Sequence, residues 1–392
     1  MKHSSILIEP TGRKSNRNKI MNAFKLSAAF GLLIFAEIGL ADPLDAWTWR
    51  NPLPTGTTLN GITYGHGQFV AVGDIIVSSA HGTNWIQRQS GTQSELWAIT
   101  YGNGQFVAVG DIIVSSVDGT NWTQRPSGTQ SSLRAVTYGD GQFVAVGSSY
   151  ADGSGAILTS ADGVSWTPRE SGTTNGLNGI TYGNGRFVAV GGFGAVVTSA
   201  EGTNWIQRQS GTQDLLLSIA YGNGQFVAVG VKDGIIITSS DGVSWLRRGG
   251  EWLAAVAYGN GQFVAVGVGG NFTIGTILTS ADGVNWVGRP SATRNQLLAI
   301  AYGDGHFVAV GYFGAILESG PIINLTLTPN ASTGMLLLSL EGPTGLSYRI
   351  ETSADLISWR NLTNLTSVQT DTVILGARPV TPDRVFYRAC SQ

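Results

Sequence analysis

The chain has 392 residues, 12% of them charged and 42% apolar, with a formal net charge of −2. A charge this small, with no basic stripe to meet phosphates, excludes a nucleic-acid partner. The single cysteine, Cys390, excludes an intrachain disulfide and a thiolate metal cluster.

The N-terminus reads as a targeting signal. Arg13, Lys14, Arg17, Lys19 and Lys25 precede an apolar run from Leu26 to Leu40, interrupted by Glu37. Gly39-Leu40-Ala41 supplies the small-x-small pattern of a signal peptidase site. Residues 1–41 are therefore expected to be a signal peptide, with Met21 as an alternative start. The mature chain then begins near Asp42, has no transmembrane segment, and is secreted, periplasmic or at the cell surface. A retained membrane anchor is the alternative reading.

From Leu59 the sequence is periodic. FVAVG occurs seven times, at Phe69, Phe106, Phe143, Phe187, Phe226, Phe263 and Phe307, inside a longer unit that ends in a D-G turn, a Trp and an Arg. One such unit cannot bury its own apolar face, so the period implies units stacked as a solenoid, propeller or array. Each unit reads as four strands. The first ends in Gly-Asn-Gly or Gly-Asp-Gly, whose central residues accept the positive φ of a tight hairpin. The second, FVAV, is apolar on both faces, and the third resembles AILTS. The fourth is polar and follows a Trp, as in Trp122-Thr123-Gln124-Arg125. Small residues in the first strand and Trp and Arg in the fourth suit a wedge that is narrow at an axis and wide at a rim. The 55 glycines fall in register with this unit and report turns rather than disorder.

The fold class expected is all-β, a seven-bladed β-propeller over residues 42–320. Its last unit stops at Glu318-Ser319-Gly320 without a fourth strand, and Trp47-Thr48-Trp49-Arg50 supplies the missing pattern. The N-terminal strand is therefore expected to close the ring on the seventh blade.

The turns Ser160-Ala161-Asp162-Gly163-Val164-Ser165-Trp166 and Ser280-Ala281-Asp282-Gly283-Val284-Asn285-Trp286 resemble the Asp-box, or BNR, repeat. The family pattern, S-x-D-x-G-x-x-W, has one more residue between Asp and Gly. Such repeats occur in sialidases, related exported propellers and photosystem assembly propellers. The resemblance spans Trp47 to Gly320 and implies a structural staple. Asp118, Asp162, Asp241 and Asp282 are expected to accept turn N–H groups while Trp122, Trp166, Trp245 and Trp286 pack between sheets. His81 and Glu201 replace the Asp in two blades, and those turns are expected to be less well tied.

Likeness to sialidases raises an enzyme reading, a glycoside hydrolase acting at the channel mouth. Sialidases are similar to one another in a carboxylate-binding arginine triad, with one arginine in an Arg-Ile-Pro motif, and in a Tyr nucleophile paired with Glu. No Arg-Ile-Pro occurs here, and Arg88, Arg125, Arg169, Arg208, Arg248 and Arg289 share one repeat position. The seven Tyr-Gly tyrosines are likewise periodic, so no catalytic residue is assigned. No cofactor is implied, because the GxGxF segments join strand to strand rather than strand to helix. His3, His66, His81 and His306 lack metal-ligand spacing, and no calcium-loop run occurs, so no metal site is assigned.

Departures from the period point to a site. The loop between second and third strands lengthens in blades three (Ser148–Gly155) and six (Val268–Gly275). In a four-stranded meander these loops share one face with the blade-to-blade connections, so one face is irregular and the other monotonous. The irregular face is expected to carry Tyr150, Asp152, Phe193, Lys232, Asp233, Asn271, Phe272, Tyr312 and Phe313. Trp97 and Arg134 join them at first-strand starts, and Glu251 and Trp252 between blades five and six. Aromatics with a few polar neighbours suit a glycan or a protein or peptide segment. The competing reading is loop aromatics that pack beneath Gly-rich turns.

Beyond Pro321 the repeat is lost. Leu325–Leu327, Gly334–Leu340, Ser347–Thr352, Ser367–Ile374 and Arg384–Ala389 read as short strands. Tyr348-Arg349-Ile350-Glu351-Thr352-Ser353, Trp359 and Phe386-Tyr387-Arg388 resemble the small β modules at the C-termini of exported bacterial proteins. Residues 321–392 are expected to form a β-sandwich-like module.

Overall fold

The computed structural model describes residues 6–10, 32–36, 42–50, 56–231, 234–268, 275–322, 324–329, 336–341, 347–353, 358–366, 373–376 and 386–391. The chain divides into two compact units. One comprises Trp47–Gly303 and Phe307–Ser319; the other comprises Met1–Ala46, Asp304–His306 and Gly320–Gln392.

The first unit is a seven-bladed β-propeller. Seven four-stranded antiparallel sheets each run in meander order, and the first strands of successive blades meet in a closed cycle. Blade one is Leu59–Gly65, Gln68–Gly73, Ile76–Ser79 and Ile86–Arg88. The first-to-second turns have the expected mirror-image geometry, with Asn103 at φ 46° and Gly104 at φ 75°. The FVAV strands are fully buried, as their unbroken apolar sequence requires. Each Phe lies 4.6–4.9 Å from the Tyr of its own first strand, and in six blades about 6.4–6.5 Å from the blade's Trp.

The Tyr-Gly pair explains how blades approach at the axis. A Cβ on Gly102 would overlap the Tyr138 ring, and the same holds for Gly139 with Tyr182 and, across the closing junction, for Gly303 with Tyr64. Glycine is required because the neighbouring blade's ring occupies the space a side chain would need. The periodic tyrosines are packing residues.

Ring closure follows the expected path. Trp47–Trp49 pairs antiparallel with Ile316–Ser319, aligning Trp47 with Ser319 and Thr48 with Glu318. The Arg50 N–H donates to the Ile316 carbonyl at 2.8 Å, which places Arg50 opposite Ile316 as Arg88 stands opposite Ile76 in blade one. Trp47 is buried.

In the second unit, strands Asn324–Pro329, Leu336–Glu341 and Val373–Gly376 form one three-stranded antiparallel sheet. Strands Arg360–Thr366, Ser347–Ser353 and Phe386–Ser391 form another, around the buried Tyr348 and Ile350. The strand Arg360–Thr366 was not among the sequence expectations. Ile6–Pro10 pairs with Leu32–Ala36, so part of the apolar run read as a targeting signal forms a strand here. The remainder of that run lies outside the described residues. No helix among the described residues is long and apolar enough to cross a membrane.

Candidate functional site

The two faces of the propeller differ chemically. On one, Gly-x-Gly hairpins and D-G turns repeat around the ring. Oδ1 of Asp118, Asp162, Asp241 and Asp282 each accepts two backbone N–H groups at 2.8–2.9 Å. The Trp122, Trp245 and Trp286 indoles donate to the turn glycine carbonyls at 3.1–3.2 Å. The Trp166 indole N–H is buried without such a partner. Glu201 instead accepts from the side chains of Thr203 and Asn204.

These turns are also latched between blades, a role the sequence did not suggest. The Gln68 amide donates to the Asp118 carbonyl at 2.7 Å, Gln105 to Asp162 at 2.5 Å and Gln142 to Glu201 at 2.6 Å. Each reaches the Asp-Gly turn, or at Glu201 the Glu-Gly turn, of the following blade. The six repeat arginines are equally committed, because each Nε donates to a Ser or Thr hydroxyl of its own third strand at 2.8–3.2 Å. A cavity of about 270 Å³ lies beside the His81 turn, lined by Gln68, Ser78, Ser79, Asn84 and Ile86. Apart from His81, its lining consists of repeat positions.

The opposite face is irregular. In blades one to six the first strand carries a β-bulge at one position, occupied by Asn60, Trp97, Arg134, Asn178, Leu217 and Ala254. The column varies while its neighbours are nearly constant. A bulge frees its residue from the ladder and re-aims the side chain. Here the Arg134 guanidinium lies over the Trp97 ring, 4.1 Å from its centroid. Such stacking orders both side chains.

Further contacts converge on the end of blade two. The Tyr150 hydroxyl donates to Asp111 Oδ1 at 2.5 Å, so the long loop of blade three leans onto the short loop of blade two. The Asn60 amide, from blade one, donates to Glu95 Oε1 at 2.9 Å and to the Leu96 carbonyl at 3.1 Å. Gly110 pairs with Leu96, so Asp111 leaves the ladder at the level where Glu95 enters it. The end of blade two thus holds the Trp97–Arg134 stack, the Tyr150–Asp111 bond and the Asn60–Glu95 bond. The sequence signal for Asn60 was its place in the bulge column. Glu95 was visible only as a non-repeating acid next to it, and Asp111 only as the counterpart of Asp74 in blade one.

Asp152 sits in the same long loop, but its carboxylate is taken up locally. It accepts from the Ser154 hydroxyl at 2.7 Å and the Ser154 N–H at 3.0 Å, which lower its pKa.

Phe193, Tyr312 and Phe313 form a second set in blades four and seven. Both phenylalanines occupy the left-handed region, at φ 52° and 54°, in matching 3₁₀ turns, Gly192–Gly194 and Tyr312–Gly314. They are 75% and 72% exposed, and Tyr150 and Tyr312 are 66% and 40% exposed. All four belong to second-to-third-strand loops. These side chains stand exposed rather than packed beneath the turns. Asn271 and Phe272, with Lys232 and Asp233, lie outside the described residues. Among the described residues no group of His, Cys, Asp and Glu is arranged to hold a metal ion.

With this geometry in place, comparison gives the fold relatives. No protein-family description matches the sequence, and no curated protein does. Solved propellers do match in structure. YCF48 bound to a D1 peptide is similar over 72% of this chain and 97% of that one, at 19% identity and a TM-score of 0.55. Virginiamycin B lyase from Staphylococcus aureus covers 71% of this chain and 99% of its own, at 12% identity and a TM-score of 0.61. The WD40 propeller domain of Doa1 covers 70% and 97%, at 11% identity and a TM-score of 0.53. At such identities the likeness is one of fold.

Proposed function

We propose that the chain is an exported, non-catalytic binding protein whose irregular propeller face holds a glycan or a protein or peptide segment. One observation carries this reading. The exposed loop aromatics and the stacked Arg134–Trp97 pair all occur on one face, while ionisable groups of the repeat are tied into turns and sheets. Exposed aromatic side chains on ordered loops are of the kind that anchor binding interfaces.

YCF48, solved with a peptide, is in keeping with a binding role. The lyase is an enzyme, so fold alone does not choose between binding and catalysis. A sialidase-like glycosidase at the channel mouth is the alternative. We also read the four D-G turns, with the His81 and Glu201 turns at the same repeat position, as a shortened Asp-box, supported by the paired N–H bonds at the four Asp turns, and residues 1–41 as a signal peptide.

Glycan and peptide arrays probed with the purified protein test the binding reading. A defined ligand is expected, and Tyr150→Ala should weaken it while the thermal midpoint stays nearly unchanged. Turnover of a fluorogenic sialidase or glycosidase substrate, abolished by one channel-mouth substitution, would replace this reading with the enzyme. N-terminal sequencing of the secreted protein should begin near Asp42.

A further inference from the structure

We infer that the cluster at the end of blade two is a subsite for an uncharged, hydroxyl-rich ligand, a neutral saccharide unit; this rests on the binding reading above. The first ground is Arg134. Its guanidinium carbon lies over the Trp97 ring, yet it donates no hydrogen bond to any described residue and forms no ion pair with one. The repeat arginines all have a Ser or Thr partner. Arg134 is therefore a positioned fork of donors with no acceptor among the described residues.

The second ground is the pair of carboxylates at the same end of blade two, where Leu96 pairs with Gly110. Glu95 is met by the Asn60 amide and Asp111 by the Tyr150 hydroxyl. Both partners are neutral, and neither carboxylate forms an ion pair with a described residue, so each keeps acceptor sites.

Charge selects the ligand class. An anion attracted to Arg134 meets two carboxylates, and a cation attracted to Glu95 and Asp111 meets Arg134. Hydroxyl groups satisfy both, accepting from the guanidinium and donating to the carboxylates. The Tyr150 ring offers a face on which a sugar ring can lie. A charged glycan or a peptide terminus matches one half of this inventory and opposes the other.

The test is calorimetric titration of the full chain with neutral hexasaccharides of glucose, xylose, mannose and N-acetylglucosamine, with oligouronates and sialyl-oligosaccharides, and with a peptide library. Titrations are repeated at low and high salt on wild type, Glu95→Gln, Asp111→Asn, Arg134→Lys and Phe193→Ala. Thermal melts confirm that each variant is folded, and Tyr150→Phe serves as a second probe of Asp111 should Asp111→Asn unfold. We expect a neutral saccharide to bind with an affinity independent of salt, because no net charge is exchanged. Each of the three cluster substitutions should weaken it about 10- to 100-fold, the worth of a hydrogen bond to a charged group. Arg134→Lys belongs with them because an ammonium keeps the charge but loses the planar fork.

Tighter, salt-sensitive binding of an acidic saccharide or a peptide through the same residues overturns the neutral-ligand inference and leaves the face reading standing. A ligand indifferent to the cluster substitutions but weakened by Phe193→Ala has the same consequence. Failure of every glycan and peptide to bind overturns both.

Discussion

Arg50 and Glu318, 268 positions apart in sequence, form an ion pair at 2.5 Å that seals the seventh blade. In the other six blades the equivalent arginine donates to a Ser or Thr; blade seven alone has a carboxylate at that place. The closing strand comes from the far end of the chain, so it lacks the entropic help of a short turn. A charge-assisted bond to a nearly buried carboxylate is stronger than the hydroxyl bond it replaces.

Arg50→Ala should therefore cost about 1–3 kcal/mol in chemical denaturation. Glu318→Thr gives blade seven the partner the others use and should cost much less. A chain beginning at Thr57 loses the whole strand, exposing an unpaired edge. Lower thermal stability and concentration-dependent association are expected by calorimetry and sedimentation. A monomer that melts at the wild-type temperature would show that the strand does not close the ring.

The blade core makes a second prediction. Trp166→Ala removes a ring packed 6.4 Å from the Phe143 centroid and should cost about 3–5 kcal/mol. Gly139→Ala places a methyl group in the Tyr182 ring and should cost about 1–3 kcal/mol through overpacking. Both are read as shifts of the denaturant midpoint. An undisturbed Gly139→Ala would mean that the blades adjust more freely than this packing implies.

Much of this fold was legible because the repeat marks equivalent positions. The seven FVAVG strands set the blade count, and Trp47 with Arg50 identified the closing strand from the same pattern. Contacts between blades were harder to see. A repeat aligns Gln68 with Gln105, but it does not say that each Gln reaches the D-G turn of the following blade. Asn60, Glu95 and Asp111 were missed for that reason: their partners come from a neighbouring blade, and a bulge aims the rim side chains. Trp97, Arg134 and Tyr150 were found because they break the period on the irregular face.

Acid should loosen the turn face. The N–H groups of Ser165 and Val164 lower Asp162 to about 2, and those of Ser244 and Val243 do the same for Asp241, against an ordinary 3.8. At Asp282 burial pushes upward, but the Asn285 and Val284 N–H groups outweigh it and hold the value at about 2. A folded-state pKa below the unfolded one means the unfolded chain binds more protons. The stability is therefore present above about pH 3.8 and lost as pH falls through about 2. These carboxylates are solvated, so each contribution is modest and screened by salt. The thermal midpoint should fall across that window, and Asp162→Asn should flatten part of the fall. Glu201→Asp should raise the midpoint at neutral pH, since the shorter side chain suits the turn N–H groups.

The inter-blade latch has its own signature. Gln105→Ala leaves the Asp162 carbonyl to water and removes one bond between blades two and three. The expected loss is about 0.5–1.5 kcal/mol. Hydrogen exchange should quicken at the Asp162 turn and stay unchanged at the turn of blade six. Uniform quickening around the ring would indicate a global effect instead.

Phe193 and Phe313 give a prediction whose sign separates function from structure. The left-handed backbone costs a residue with a Cβ about 1–2 kcal/mol, and both rings also face water. The turns are held by their backbones: Gly192 N–H donates to the Gly176 carbonyl and Gly194 N–H to Asp214, while Tyr312 N–H donates to Gln296. The aromatic side chain is therefore not what shapes the loop. Phe193→Gly and Phe313→Gly should keep or raise the thermal midpoint, because glycine occupies that region without strain. Over the same pair of changes, binding of a ligand that covers blades four and seven should fall, because rigid aromatic anchors carry a large share of interface affinity. A drop of several degrees on either change, with binding untouched, would make the rings structural and remove them from the candidate face.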